Sequence, residues 1–134
     1  SNYPLMQAVT AHVKETGRAG SEIVRQRLAQ LHIDFTMGKF LVYKVAWLLS
    51  RGAIPKAASA AAKAFCTEFE QRLAQTASEF FGGYSQLMPD SPRSYLNGRI
   101  ARAYLYAPAY TIQGGTSTIL RNIIAMRGLG LPPG

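Results

Sequence analysis

The chain has 134 residues, 48% of them hydrophobic, and carries 15 Lys+Arg against 7 Asp+Glu for a formal charge of +8. That composition suits one folded domain with one core and excludes a disordered chain. No apolar run reaches the ~20 residues of a membrane span, no signal peptide opens the sequence, and the single Cys66 excludes an internal disulfide or a multi-cysteine zinc site.

Pro4 suits a first helical turn, and Leu5, Met6, Val9 and Val13 then fall on one face of a short helix that ends near Gly17 to Gly20. Ser21 is placed to cap a second helix. In that helix Val24, Leu28, Leu31, Phe35, Gly38, Val42, Val45 and Leu49 alternate spacings of four and three, a bundle-type stripe with Gly38 marking a close helix crossing. The run Ser50–Pro55 stops it. A third helix is predicted from about Lys56 to Phe81, with Ala58, Ala62, Phe65, Phe69, Leu73, Thr76 and Phe80 facing inward and Gly82-Gly83 ending it. Tyr84–Pro92 reads as a loop, and a fourth helix is predicted over about Arg93–Ala107, interrupted near Pro108. Thr116 or Ser117 caps a last helix that ends at Gly128–Gly130. The spacing is helical throughout, so the expected fold is all-α: an antiparallel four-helix bundle with a short partial first helix.

The turn Gln113-Gly114-Gly115-Thr116 reads first as a helix–helix connection in which glycines supply positive φ and Thr116 caps. Bare amides at such a turn also suit a phosphate or a polarised carbonyl. The C-terminal run beyond it is a longer motif: Arg121-Asn122-Ile123-Ile124-Ala125, Arg127, then Leu129-Gly130-Leu131-Pro132. Together with Gly115-Thr116, this run resembles the C-terminal signature of the acyl-CoA dehydrogenases. Ala62-Lys63-Ala64-Phe65 and Phe80-Phe81-Gly82-Gly83 are similar to that family's third bundle helix and its glycine end. Gly17-Arg18-Ala19 with Val24-Arg25-Gln26-Arg27-Leu28-Ala29 is similar to a subgroup common in actinobacteria.

The resemblance runs from about Leu5 to Pro132. It implies that residues 3–134 are the C-terminal four-helix-bundle domain, with the N-terminal helical and β domains lying outside this sequence. Ser1-Asn2 reads as an expression scar, so a longer native protein is expected. It further implies FAD as cofactor, an acyl-CoA thioester as substrate, a 2,3-enoyl-CoA as product, an electron-transfer acceptor and a dimer of dimers, homo- or hetero-oligomeric. Gly114 falls where many relatives keep a catalytic glutamate, so no catalytic residue is assigned in this chain; its N–H is left to polarise the thioester. Gly115 and Thr116 match the Gly-Thr that faces the flavin. Gly83 matches a glycine near the flavin diphosphate of a neighbouring subunit, where Glu79 replaces a frequent Gln. Arg18 is the candidate replacement phosphate contact. The alternatives are a catalytically silent partner subunit of a mixed oligomer and a basic nucleic-acid-binding module, the latter disfavoured because Lys and Arg are scattered and no nucleic-acid motif appears. Asp34 and Glu68 are expected to be solvated or paired, and His12 and His32 to be surface groups without metal-ligand spacing. Cys66 is expected to be a small buried hydrophobe, Trp47 a core or interface residue, and the setting reducing and cytoplasmic.

Overall fold

The computed structural model describes residues 3–132. The expected Ser1-Asn2 scar and the last two residues of the expected 3–134 domain lie outside them. Five α-helices succeed one another: α1 (Tyr3–Glu15), α2 (Glu22–Ser50), α3 (Lys56–Phe81), α4 (Arg99–Tyr110) and α5 (Ser117–Ile123), the last running into a π-helical turn over Ile124–Gly128. No strand occurs among the described residues, and no helix there is long and apolar enough to cross a membrane.

α3 is the hub and packs against all four other helices. Its register with α2 is read from three cross-links: Arg27 to Glu79, Asp34 to Arg72, and Gly38 beside Cys66. The residue numbers rise on one helix as they fall on the other, so the pair is antiparallel. α4 and α5 then run back along α3 in succession, with Gln71 bonded to Thr111, Lys63 to Gly115, and Ala57 beside Gly128. Together they act as one broken fourth helix, and the Gly114–Gly115 turn is the break.

The main core joins Leu5, Met6, Val9 and Val13 of α1 to Leu31 of α2, Phe69, Leu73, Ala77, Phe80 and Phe81 of α3, and Ile100 of α4. Burying aliphatic and aromatic side chains of this size is the dominant favourable term for such a chain. The alanine-rich start of α3 plays a different part. Ala60 and Ala64 form a second small cluster with Leu120, packed by Ile123 and Ile124. Small side chains there let α5 come close.

The expected crossing at Gly38 is present: a Cβ on that residue would lie 3.3 Å from the Cys66 sulfur. Three local expectations change. Ser21 precedes α2 but makes no side-chain capping bond; Arg25 instead donates to the Ala19 and Gly20 carbonyls, both at 2.9 Å. The fourth helix begins at Arg99 rather than Arg93, because Leu96, Asn97 and Gly98 all take left-handed φ and break any helix entering from Arg93. It then passes through Pro108 to Tyr110. The expected loop from Tyr84 likewise begins inside a 3-10 turn spanning Gly82–Gln86.

The α2 stripe is buried only in its first half. Beyond Gly38 α2 still runs beside the start of α3, which leaves Val45 half-buried, but Val42 and Leu49 are exposed, as are Phe40, Tyr43 and Trp47. Trp47, 57% exposed, is therefore not part of this chain's core; Arg51 stacks over its ring.

Candidate functional site

The turn between α4 and α5 is held from below. Lys63 Nζ donates to the carbonyl of Tyr110 at 2.7 Å and to that of Gly115 at 3.2 Å. Gln71, two turns further along α3, donates to Thr111 Oγ1 at 3.0 Å. Ser117 N–H closes the loop on the Thr111 carbonyl at 3.2 Å. Thr116 caps α5 as expected, its Oγ1 accepting from the Ile119 N–H at 3.3 Å. Gly114 and Gly115 have φ of 68° and 110°, values that favour glycine.

The amides of Gly114, Gly115 and Thr116 have no acceptor among the described residues. Three successive N–H groups without an acceptor, on a turn exposed at Gly114 and half-buried at Gly115 and Thr116, suit a carbonyl oxygen or an anion. A Cβ on Gly114 would meet only Lys63 Cε, at 3.9 Å, so its backbone is open to a ligand.

Gly83 and Arg18 lie at the other end of α3. Gly82, with φ 58° and ψ −141°, ends the helix in a region that only glycine occupies readily, and Gly83 presents its backbone with nothing within 4 Å of a Cβ position. Arg18 Nη1 donates to the Phe80 carbonyl, and its guanidinium lies 6.0 Å from the Phe80 ring centre. The guanidinium thus satisfies a terminal carbonyl of α3, where a cation is favoured. Glu79 is paired with Arg27 and also accepts from Gln75. That pairing offsets its charge next to Gly83. From Lys63 to Phe80 is roughly 25 Å along the helix axis, so the sequence candidates form two groups, one at each end of α3.

The other candidates are committed elsewhere. Asp34 is buried, contrary to a surface role, with Arg72 Nε at 3.0 Å and Gln30 at 2.7 Å. Glu68 accepts from Arg121 at 2.5 Å. His12 is half-buried rather than a free surface group, stacked 3.9 Å from the Phe81 ring, while exposed His32 lies 3.2 Å from Thr10 Oγ1. No group of three or more His, Cys, Asp or Glu among the described residues is arranged for a metal ion.

Cys66 is half-buried. Burial pushes its thiol pKa up, and the Glu70 carboxylate adds to the shift. The thiolate is the reacting form, so at pH 8 iodoacetamide should modify Cys66 more slowly than the same thiol in urea. The native rate should keep rising with pH after that of the unfolded chain has levelled. Equal rates in the two states would refute the burial effect.

Lys63 and Gln71 are the site residues that sequence reasoning missed. Lys63 belongs to the Ala62–Phe65 motif, but its targets are 47 and 52 residues away, and no local period points to them.

The family model for the acyl-CoA dehydrogenase C-terminal domain matches residues 4–129. Acyl-CoA dehydrogenase FadE26 of Mycobacterium tuberculosis is 35% identical over 115 residues, 84% of this chain and 29% of that protein. The solved structure described as the Tcur3481-Tcur3483 steroid ACAD superposes with a TM-score of 0.91 at 26% identity, over 98% of this chain and 34% of that one. The ChsE4-ChsE5 complex from Mycobacterium tuberculosis gives a TM-score of 0.83 at 28% identity, over 97% of this chain and 36% of that one. The chain therefore spans about a third of the length of these relatives.

Proposed function

The chain belongs to the acyl-CoA dehydrogenase family, as its C-terminal domain, and from that premise we propose that the intact protein is a flavin-dependent enzyme oxidising an acyl-CoA thioester to the 2,3-enoyl-CoA. The observation that carries the reading is the row of open amides at Gly114, Gly115 and Thr116, braced by Lys63.

The reaction removes a proton from the α-carbon and a hydride from the β-carbon. FAD, when bound, would supply the hydride acceptor, with an electron-transfer partner to restore it. The chain's part is electrostatic. The Gly114 N–H receives the thioester carbonyl oxygen and stabilises the enolate-like charge that develops there, which acidifies the α-proton. Gly115 and Thr116 would stand on the flavin side of the turn. The exposed backbone at Gly83 is the contact for a flavin diphosphate, and Arg18 is the nearby cation, available to it only by giving up the Phe80 carbonyl. The separation of the two groups along α3 suits an oligomer in which each end serves a different flavin site. A dimer of dimers in a reducing, cytoplasmic setting fits this reading.

Gly114 has no side chain to take the α-proton, so the base comes from outside these residues. That same absence favours a second reading, a silent subunit completing the flavin site of a different chain. That one solved relative is the ChsE4-ChsE5 complex is in keeping with it. The substrate class favoured is a bulky, steroid-derived acyl-CoA, because one neighbour is described as a steroid ACAD.

The intact protein is expected to carry FAD in near-stoichiometric amount and to reduce an artificial electron acceptor when given such a thioester. The 134-residue chain alone is expected to be colourless and inactive, since the two ends of α3 hold only part of a site. Absorbance in the visible flavin band and dye reduction measure both. An intact protein with no flavin under any co-expression would overturn the proposal. Flavin and activity appearing only with a second chain would select the silent-subunit reading.

A further inference from the structure

We propose that Lys63 is the positioning residue of the amide row: by holding the Gly115 carbonyl toward α3, it points the Thr116 N–H outward to the ligand side. The proposal rests on the flavoenzyme reading for its kinetic arm only.

The geometry starts from the peptide unit. Gly115 C=O and Thr116 N–H belong to one planar peptide, and in a trans peptide the two groups point in opposite directions. No cis peptide occurs among the described residues. Lys63 Nζ takes the Gly115 oxygen at 3.2 Å, so the Thr116 amide faces away from α3. The second bond, to the Tyr110 carbonyl at 2.7 Å, ties the same ammonium to the end of α4. One side chain therefore fixes both ends of the connection that carries Gly114 and Gly115. Those glycines are the least restrained residues a turn can contain. A brace from a rigid helix removes freedom that ligand binding would otherwise have to remove. Lys63 itself sits on the alanine-rich second turn of α3, flanked by buried Ala62 and Ala64. The small neighbours bring the turn within its reach.

The Lys63 ammonium is engaged by two carbonyls of the turn itself, so its effect is expected in orientation rather than in chemistry. Lys63→Met keeps the stem and removes the donor. In the intact flavoprotein it should lower kcat on the acyl-CoA thioester about 10- to 100-fold, with KM changed less than about threefold and the flavin spectrum retained. Lys63→Arg, which keeps donors, should recover at least part of that loss. Hydrogen exchange supplies the readout that needs no substrate: the bonded amides of Thr111, Ile112, Gln113 and Ser117 should exchange about tenfold faster in Lys63→Met, while those of α2 stay unchanged. A variant with a lower unfolding temperature but wild-type kcat and wild-type exchange at 111–117 overturns the proposal, for Lys63 would then be structural only. If Lys63→Met fails to accumulate, Lys63→Gln, too short to reach both carbonyls, must show the faster exchange. A wild-type protein without FAD or activity would sink the flavoenzyme reading and leave the exchange result to decide on Lys63.

Discussion

Gly98→Val is expected to cost about 4 kcal/mol or more and to lower the midpoint of thermal unfolding by roughly 14 °C, taking roughly 3–4 °C per kcal/mol for a chain of this length. Two costs add. The backbone at Gly98 has φ +67°, which a β-branched residue adopts only under strain of roughly 1–3 kcal/mol. A Cβ there would also lie 2.5 Å from the Pro89 nitrogen, 2.6 Å from its Cδ and 2.9 Å from the Met88 carbonyl carbon. Those are backbone and ring atoms, so nothing flexible gives way, and the start of α4 must move. Gly17→Ala is the control. Its φ is +68°, but nothing lies within 4 Å of the added carbon, so only the backbone term of about 1 kcal/mol applies. Thermal melts of the two variants separate strain from overlap. Equal shifts would show that the Pro89 contact carries no weight.

The Gly98 turn is also where helical spacing misleads about the start of the fourth helix. Residues 93–98 include Leu96 and Asn97, both with φ 52°, and neither signals a left-handed turn in the way Gly-Gly does. The left-handed run brings Gly98 against Pro89, a contact no helical periodicity encodes. Where structure is local, residue types and structure agree. Gly82 ends α3, Thr116 caps α5, and the apolar stripe of α3 delivers Phe69, Leu73 and Phe80 to the core. Pro108 reads as an interruption, yet the helix continues through it. The N–H it lacks would have served the carbonyl of exposed Tyr104, where water can bond instead, and the Thr111 side chain and backbone both bond the Pro108 carbonyl to close the helix.

The α2 stripe shows the opposite limit. Its period is continuous from Val24 to Leu49, but its burial is not: Leu31 and Gly38 are buried, Val45 is half-buried, and Val42 and Leu49 are exposed. Periodicity reports which face is apolar; it does not report where the partner ends. The candidate site divides the same way. The glycines and the cap at residues 114–116 are legible as residue types with a known backbone use. The Lys63 brace is not, because a long side chain meeting two carbonyls 47 and 52 residues away leaves no local pattern. Arg18 is legible as a cation, and its occupation by the Phe80 carbonyl emerges only once α1, α3 and the Gly17 turn are packed together.

Leu73→Ala is expected to cost about 4 kcal/mol, the upper part of the range for a leucine emptied from a rigid core. The reason lies in where Leu73 sits rather than in its type. It is 0% exposed near the middle of α3, in the cluster where α1, α2, α3 and α4 all contribute side chains. A cavity there borders several rigid helices, so no single neighbour relaxes to fill it, and the lost contacts are not replaced. Trp47→Ala removes a larger side chain but one 57% exposed, stacked mainly under Arg51, so in this chain it should cost less than about 1 kcal/mol. Urea unfolding of the two variants, with m-values compared to confirm two-state behaviour, tests the ranking. If Trp47→Ala proved the costlier change, the far half of α2 would have to be covered in solution, and self-association would be the first thing to measure. With the ranking as expected, the cooperative unit is the α1–α4 core around Leu73, and the exposed end of α2 adds little to the stability of the chain on its own. The Gly114–Thr116 turn is anchored to the same α3 that carries Leu73, so loosening that core should also relax the amide row through Lys63 and Gln71.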